Sequence, residues 1–233
     1  QITFEGGSSP VWSSDGERVI FSASRGGQPN LFWKTAGAAS ADERLTSSPR
    51  TDIPTSSSSA DRRTVAFVET DPDHARDIVL FDTVDRTTRR FLNSAANESA
   101  GAFSPDGQWM AFVSDQSGRN EVYVAAINGS KRLGPVSADG GSEPVWRRDG
   151  KELFFRSGNK MMAAAVTFAP ALALQPARVL FRGTFDTGAA SRPAYDISED
   201  GTRFLMVASN TRERESYELR VVLGWMVRPG LTR

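Results

Sequence analysis

The chain has no cysteine, which excludes disulfides, thiol catalysis and zinc–thiolate sites together. It has one histidine, His74, so no mechanism needing two imidazoles is available. It has no surplus of either charge, since 28 Lys+Arg face 28 Asp+Glu. A protein that held nucleic acid mainly through its phosphates would need a basic excess, so no nucleic-acid partner is expected. Long hydrophobic runs are also missing. The most apolar stretch, 161–174, is too short to span a bilayer and carries Pro170, so membrane insertion by this segment is not expected. The opening Gln1-Ile2-Thr3-Phe4 lacks a start methionine, a basic region and an apolar leader, so the chain is expected to begin inside a longer protein. What is present is 233 residues, 39% hydrophobic, with 20 Gly and 12 Pro. That is a loop-rich globular composition, long enough to bury a substantial core.

A self-comparison organises the rest. Pro10-Val11-Trp12-Ser13-Ser14-Asp15-Gly16 recurs as Pro144-Val145-Trp146-Arg147-Arg148-Asp149-Gly150. Ala102-Phe103-Ser104-Pro105-Asp106-Gly107 and Tyr195-Asp196-Ile197-Ser198-Glu199-Asp200-Gly201 are further copies, and Ser58-Ser59-Ala60-Asp61-Arg62 is a degenerate one. The marker aspartates Asp15, Asp61, Asp106, Asp149 and Asp200 recur about every 43–51 residues. Four and six residues after each mark stand Val19 and Phe21, Val65 and Phe67, Met110 and Phe112, Leu153 and Phe155, Phe204 and Met206. Apolar residues two apart predict a strand burying one face. Each unit therefore reads as a short strand, an Asp-Gly turn and a second strand.

A polar loop then leads to a third strand: Leu31-Phe32-Trp33, Ile78-Val79-Leu80, Val122-Tyr123-Val124, 161–166 and Leu219-Arg220-Val221-Val222. Fourth strands follow at Arg44-Leu45-Thr46, Phe91-Leu92, Arg132-Leu133 and Val179-Leu180-Phe181, the third after an Asn128-Gly129 hairpin signal. Four short antiparallel strands per repeat predict an all-β fold, a β-propeller of about five four-stranded blades. The expected blades are about 10–46, 54–93, 101–134, 144–182 and 194–225, forming one domain over 1–233. Residues 1–4 match the outer strand of a preceding or closing blade. Two readings stay open: that strand closes a five-bladed ring, or the chain is the C-terminal part of a larger propeller. The second is the expectation.

At these residues the sequence resembles the TolB-like propeller repeat, a relative of the WD-type repeat. Arg44-Leu45-Thr46 and Phe103-Ser104-Pro105-Asp106-Gly107 are close to its consensus. Leu153 through Ala163, Tyr195-Asp196-Ile197-Ser198, Phe204-Leu205-Met206 and Val221-Val222-Leu223-Gly224-Trp225 are similar to the last blades of such propellers in bacterial multidomain proteins. There the propeller stands behind a Ser/Thr kinase domain or a winged-helix regulator domain. The resemblance implies a sensory or partner-binding role, with a periplasmic or other extracytoplasmic setting. Ser56–Asp61 departs from the pattern, because it lacks the large inner-strand aromatic and has Arg62 for the turn glycine.

Catalytic readings fare poorly. The marker aspartates lie on separate spokes and suit turns, where Asp accepts backbone amides and Gly takes positive φ. Glu69, Asp71, Asp73, His74 and Asp77 form a sparse oxygen-ligand loop. It lacks the alternation, central Gly and terminal Glu of a calcium loop, so a solvated hairpin is expected. A propeller-bearing hydrolase needs Gly-x-Ser-x-Gly, and both Gly6-Gly7-Ser8-Ser9-Pro10 and Gly140-Gly141-Ser142-Glu143-Pro144 lack the closing Gly. The Gly-rich loop, His-Arg-Asp and Asp-Phe-Gly of a kinase are absent. Asn97-Glu98-Ser99 and Asn128-Gly129-Ser130 fit the glycosylation tripeptide but read as turns. Trp12 and Trp146 are expected to pack between blades.

The expectation is therefore a non-enzymatic module with no catalytic residue, metal or cofactor, binding a protein or peptide through its loops. Loops leading into the inner strands should present Asp52, Glu98, Glu143 and Arg192. Loops joining second to third strands should present Arg25, His74, Arg76, Arg119 and Asn159 on the same face. The competing readings are an accessory propeller of a prolyl-oligopeptidase-like peptidase and a self-contained periplasmic TolB-like protein.

Overall fold

The computed structural model describes residues 3, 5–37, 41–58, 60–71, 76–92, 94–167, 172–188, 192–209 and 217–223. His74, Asp73 and most of the 1–4 segment lie outside them, as does Trp225. The first sheet holds β1 (Ser8–Trp12), β2 (Arg18–Ala23), β3 (Asn30–Thr35) and β4 (Glu43–Arg44) in sequential antiparallel order. The second repeats this with β5 (Thr51–Ser57), β6 (Thr64–Thr70), β7 (Asp77–Asp82) and β8 (Thr88–Arg90). The third does so with β9 (Glu98–Phe103), β10 (Trp109–Ser114), β11 (Glu121–Ala126) and β12 (Arg132–Leu133).

The fourth sheet contains β13 (Ser142–Trp146), β14 (Glu152–Ser157), β15 (Lys160–Thr167), β16 (Ala173–Leu174) and β17 (Arg178–Arg182). Its third strand is long enough for β16 to pair with the far end and β17 with the near end. The fifth sheet has β18 (Tyr195–Ile197), β19 (Arg203–Ser209) and β20 (Tyr217–Leu223). Five sheets, each meandering outward from an inner strand and stacked face to face, make a β-propeller.

The second strands of blades 1 to 4 bury both faces, one more than alternation alone predicts. The residues four and six past each marker aspartate are all buried. In blades 2 to 5 they pack on the preceding blade: Val65 and Phe67 meet Ile20 and Leu31, Met110 and Phe112 meet Ala66 and Ile78. Likewise Leu153 and Phe155 meet Ala111 and Val113, and Phe204 and Met206 meet Phe154 and Met161. The residue between them faces the following blade, as Ile20, Ala66, Ala111 and Phe154 show. In blade 5 the equivalent Leu205 is 39% exposed, because no sheet among the described residues covers that side.

The same logic corrects the tryptophans. Trp146 is buried against blade 3, but Trp12 is 56% exposed, since blade 1 has no described sheet on the corresponding side. There Phe21 and Phe32 are covered locally. The Arg25 and Arg44 guanidinium carbons stand 5.4 and 5.1 Å from the Phe32 ring, and Gly7 approaches Phe21.

All five turns are built alike. The marker carboxylate accepts the N–H two residues on, at 2.9 Å from Glu17, 3.0 from Arg63, 3.1 from Gln108, 3.0 from Lys151 and 3.0 from Thr202. The residue after it takes left-handed φ: +72° at Gly16, +68° at Gly107, +74° at Gly150, +69° at Gly201 and +55° at Arg62. Ser198 and Thr202 hold the Asp200 carboxyl well below the usual range.

At Gly107 a side chain would do more than strain the backbone, because its Cβ would stand 2.5 Å from Ala60 Cβ in the neighbouring blade. Gly107→Ala is expected to cost about 2 kcal/mol and lower Tm by about 4–8 °C. Adding Ala60→Gly should restore the steric part, which a double-mutant thermal cycle measures. Simple additivity would show that the two turns do not touch.

Candidate functional site

The free edges of the inner strands face the middle of the ring, where unpaired backbone is a liability. Neighbouring blades cap much of that edge. Ser57 Oγ donates to the Trp12 carbonyl at 2.7 Å, Ser56 Oγ to Gly101 at 2.8 Å, and Trp146 Nε1 to Ala102 at 3.0 Å. Ser22 Oγ does the same for Asp52 at 2.7 Å. Three inner strands also share a bulge whose first residue has left-handed φ: Ser9 (+55°), Ala100 (+52°) and Glu143 (+57°), followed by Pro10, Gly101 and Pro144. Thus Gly6-Gly7-Ser8-Ser9-Pro10 and Gly140-Gly141-Ser142-Glu143-Pro144 start their strands in the same conformation.

Beyond the bulges, β5, β9 and β13 wall a cavity of about 460 Å³. Its lining is mostly apolar and small, including Thr55, Gly101, Val145, Trp146 and Pro193, with Arg148 at the rim. It takes Pro105 and Arg148 from two Asp-Gly turns and Pro193 from the loop leading into β18.

The loops leading into the inner strands hold residues expected to meet a partner, and the structure redistributes them. Asp52 and Glu98 are 0% exposed and Glu143 is 4% exposed, so none is available for contact in the folded chain. The reason is that each carboxylate organises the local backbone. Asp52 accepts the Thr46 hydroxyl at 2.6 Å, and that hydroxyl in turn accepts the Leu31 N–H. Glu98 accepts the Ser94 hydroxyl at 2.6 Å. Glu143 accepts the N–H groups of Gly188 and Ala194 at 3.1 and 2.9 Å, and its carbonyl accepts the Tyr195 hydroxyl at 2.7 Å.

Arg25 is largely buried too, bridging Glu5, Asp42 and the Gly6 carbonyl. Arg76 and Arg192 are half-buried, and Arg192 Nη1 lies 3.5 Å from the Pro10 carbonyl, joining the blade 5 loop to blade 1. Arg119 and Asn159 are exposed, Arg119 reaching Glu121 at 2.6 Å.

On blade 2 and the segments flanking it, that face carries a second recess, of about 290 Å³, lined by Arg50, Glu69, Asp71, Asp77, Arg90, Ser94 and Ala95. Arg50 clamps Glu69 at 2.6 Å and Asp71 at 2.9 Å, while Arg90 holds Asp77 at 2.6 Å. These acids are therefore parts of a charged pocket rather than a solvated hairpin. Among the described residues no group of His, Cys, Asp and Glu is placed to hold a metal ion. Sequence reasoning missed Arg50 and Arg90, because only the fold brings them to the acids; a basic residue beside each strand end was the available signal.

Stacked antiparallel blades around a cavity walled by three inner strands define a propeller scaffold. Residues 56–216 match the TolB beta propeller domain (PD40), and the chain belongs to that family. Among solved structures it is similar to TolB from Acinetobacter baumannii, with a TM-score of 0.71 and 20% identity over 94% of this chain. The chain spans 52% of that protein. A TolB-type protein from Agrobacterium tumefaciens matches with a TM-score of 0.69 and 16% identity over 96% of this chain and 79% of its own. A puromycin-hydrolysing peptidase from Mycobacterium tuberculosis matches with a TM-score of 0.60 and 14% identity over 93% of this chain and 37% of its own. At these identities the likeness shows a shared fold.

Proposed function

We propose that this chain is a non-enzymatic propeller module that binds a protein or peptide segment, as the interaction end of a larger bacterial signalling protein of the Ser/Thr kinase-associated kind. The observation that carries the reading is the cavity of about 460 Å³ walled by three inner strands. Its walls belong to sheets buried on both faces, so a segment entering it meets a preorganised surface and little ordering cost falls on the protein. Its lining offers apolar contact and strand edges but no nucleophile–base pair, which suits capture without turnover.

Panning a displayed peptide library on the chain tests this. Selected peptides should protect residues 55–57, 100–103 and 144–146 from hydrogen exchange and leave with unchanged mass. Pro193→Trp, which narrows the cavity, should weaken them at least ten-fold. Protection elsewhere, indifference to Pro193→Trp, or peptide cleavage would overturn the assignment. The second reading, an accessory propeller of a peptidase, draws on the likeness to the Mycobacterium enzyme. The residues encoded on either side of this chain separate the two: kinase motifs favour the first, a Gly-x-Ser-x-Gly elbow the second.

A further inference from the structure

The cavity walled by β5, β9 and β13 is chemically one-sided. Thr55, Ser56 and Ser57 line it, and each hydroxyl already donates to a backbone carbonyl: Thr55 to Ala66 at 3.1 Å, Ser56 to Gly101 at 2.8 Å and Ser57 to Trp12 at 2.7 Å. Trp146 Nε1 is spent likewise on Ala102. Arg148 is the single charged side chain among the described residues that line the cavity. It and Glu199 stand immediately before the marker aspartates of blades 4 and 5, where blades 1 to 3 have Ser14, Ala60 and Pro105. The two form an ion pair at 2.6 Å, and both side chains are 73% exposed. An ion pair so open to solvent contributes little and exchanges partners readily. Glu199 itself lies off the cavity lining.

Inside the recess a charged group of either sign meets neutral walls whose side-chain donors are already used, so its desolvation goes uncompensated. At the rim the balance differs by sign. A carboxylate there finds Arg148 while Glu199 returns to water, whereas an ammonium meets the guanidinium as a like charge. A chain terminus pushed into the recess carries its carboxylate past Arg148, but an acidic side chain that follows the inserted residues stays level with it. We propose that the cavity takes an uncharged, apolar partner segment flanked by an Asp or Glu side chain that pairs with Arg148. A charge at the rim sets selectivity and encounter rate more than total affinity. The proposal rests on the reading of this cavity as a peptide-capture site and adds the charge rule for what is captured.

The test captures pooled hexapeptides on the immobilised chain and weighs them by mass spectrometry. The pools are N-acetylated and C-amidated, randomised over Ala, Val, Leu, Ile and Pro, with Glu, Gln or Lys fixed at the last position. A fourth pool has Gln there and a free carboxylate. The Glu pool should be retained about five-fold more than the Gln pool, and the Lys pool least. Raising the salt should shrink that preference. Arg148→Gln should level the Glu and Gln pools, and Arg148→Glu should put Lys ahead of Glu; both changes fall on an exposed side chain and leave the fold intact. Glu199→Gln should strengthen Glu-pool capture, because it frees Arg148. Amide shifts of ¹⁵N-labelled chain at Gly101, Phe103 and Val145 report whether capture occurs in the cavity. Equal retention of the Glu and Gln pools with those shifts present sinks the charge rule and leaves peptide capture standing. Preference for the free-carboxylate pool over the Glu pool overturns the assignment to a side chain. No retention and no shifts from any pool defeats the capture reading itself.

Discussion

Glu143→Ala is expected to lose about 3–5 kcal/mol of stability and to loosen blade 5 before the rest of the ring. The buried carboxylate takes two backbone N–H groups, from Gly188 and Ala194, in the segment that delivers β18. Hydrogen bonds to a charged acceptor contribute roughly 1.5–3 kcal/mol each, and their loss strands two amides beside an apolar seam. That seam is the contact of Phe154 and Met161 with Tyr195, Phe204 and Met206. Tyr195 keeps its bond to the carbonyl of residue 143, so the damage should stay on the loop. A loss of this size lowers Tm by about 6–20 °C in a domain of this length.

Hydrogen exchange gives the sharper readout, because residues 195–206 should exchange faster while 64–68 and 109–113 keep their protection. Glu143→Gly should recover part of the loss, since +57° is a costly φ for any side chain. A Glu143→Ala protein melting within 2 °C of wild type would show that the carboxylate does not clamp blade 5.

Much of this architecture is legible before any coordinates, and the reason is physical. Asp15, Asp106, Asp149 and Asp200 precede glycines because the turn needs a left-handed residue, so the marker survives in sequence. Val19 and Phe21 and their counterparts recur because every blade must offer the same surface to the blade before it. The bulges are invisible for the opposite reason. Their left-handed positions fall on Ser9, Ala100 and Glu143, which carry no conformational signature of their own.

The partner face misleads similarly. Asp52, Glu98 and Glu143 stand at the polar starts of β5, β9 and β13, where a charged residue suggests solvent, yet each is drawn inward to satisfy nearby hydroxyl or amide donors. Periodicity reports burial of side chains along strands. It says nothing about which loop carboxylate the backbone recruits, because that depends on the adjoining blade. The charged pocket on blade 2 is legible only in part, since Glu69, Asp71 and Asp77 cluster in sequence whereas Arg50 and Arg90 arrive through the fold.

Asp52 should give the chain an unusual pH dependence. Burial pushes its carboxyl from 3.8 up to about 7, and the Glu69 carboxylate adds to this. The Thr46 hydroxyl and Arg50 pull the other way without prevailing. Glu121 shows what a fuller set of donors does. It is buried as well, but the Ser137 hydroxyl, the Gly140 N–H and Arg119 outweigh burial and hold it below its usual value. Asp52 Oδ1, by contrast, has no donor among the described residues.

For Asp52 the folded chain binds a proton more tightly than the unfolded chain. Its contribution is therefore fully present below about pH 4 and falls as pH rises to about 7, above which it changes no further. A tenfold difference in proton affinity between folded and unfolded chain is worth about 1.4 kcal/mol, so the span reaches about 2–4 kcal/mol after allowing for relaxation around the charge. Carboxyls held low, such as Asp82 beside Arg63 and Asp115 beside Asn97, act oppositely and lose their contribution only in more acid solution. Stability should thus peak near pH 4–5 and decline toward neutrality.

Asp52→Asn keeps an acceptor for Thr46 and cannot ionise. Subtracting its urea-derived stability curve from that of wild type cancels every titration the two share. The difference should favour wild type by about 2–4 kcal/mol more at pH 4.5 than at pH 8. Parallel curves across that range would show that Asp52 ionises normally inside the fold, and that the buried oxygen finds its donor in solvent.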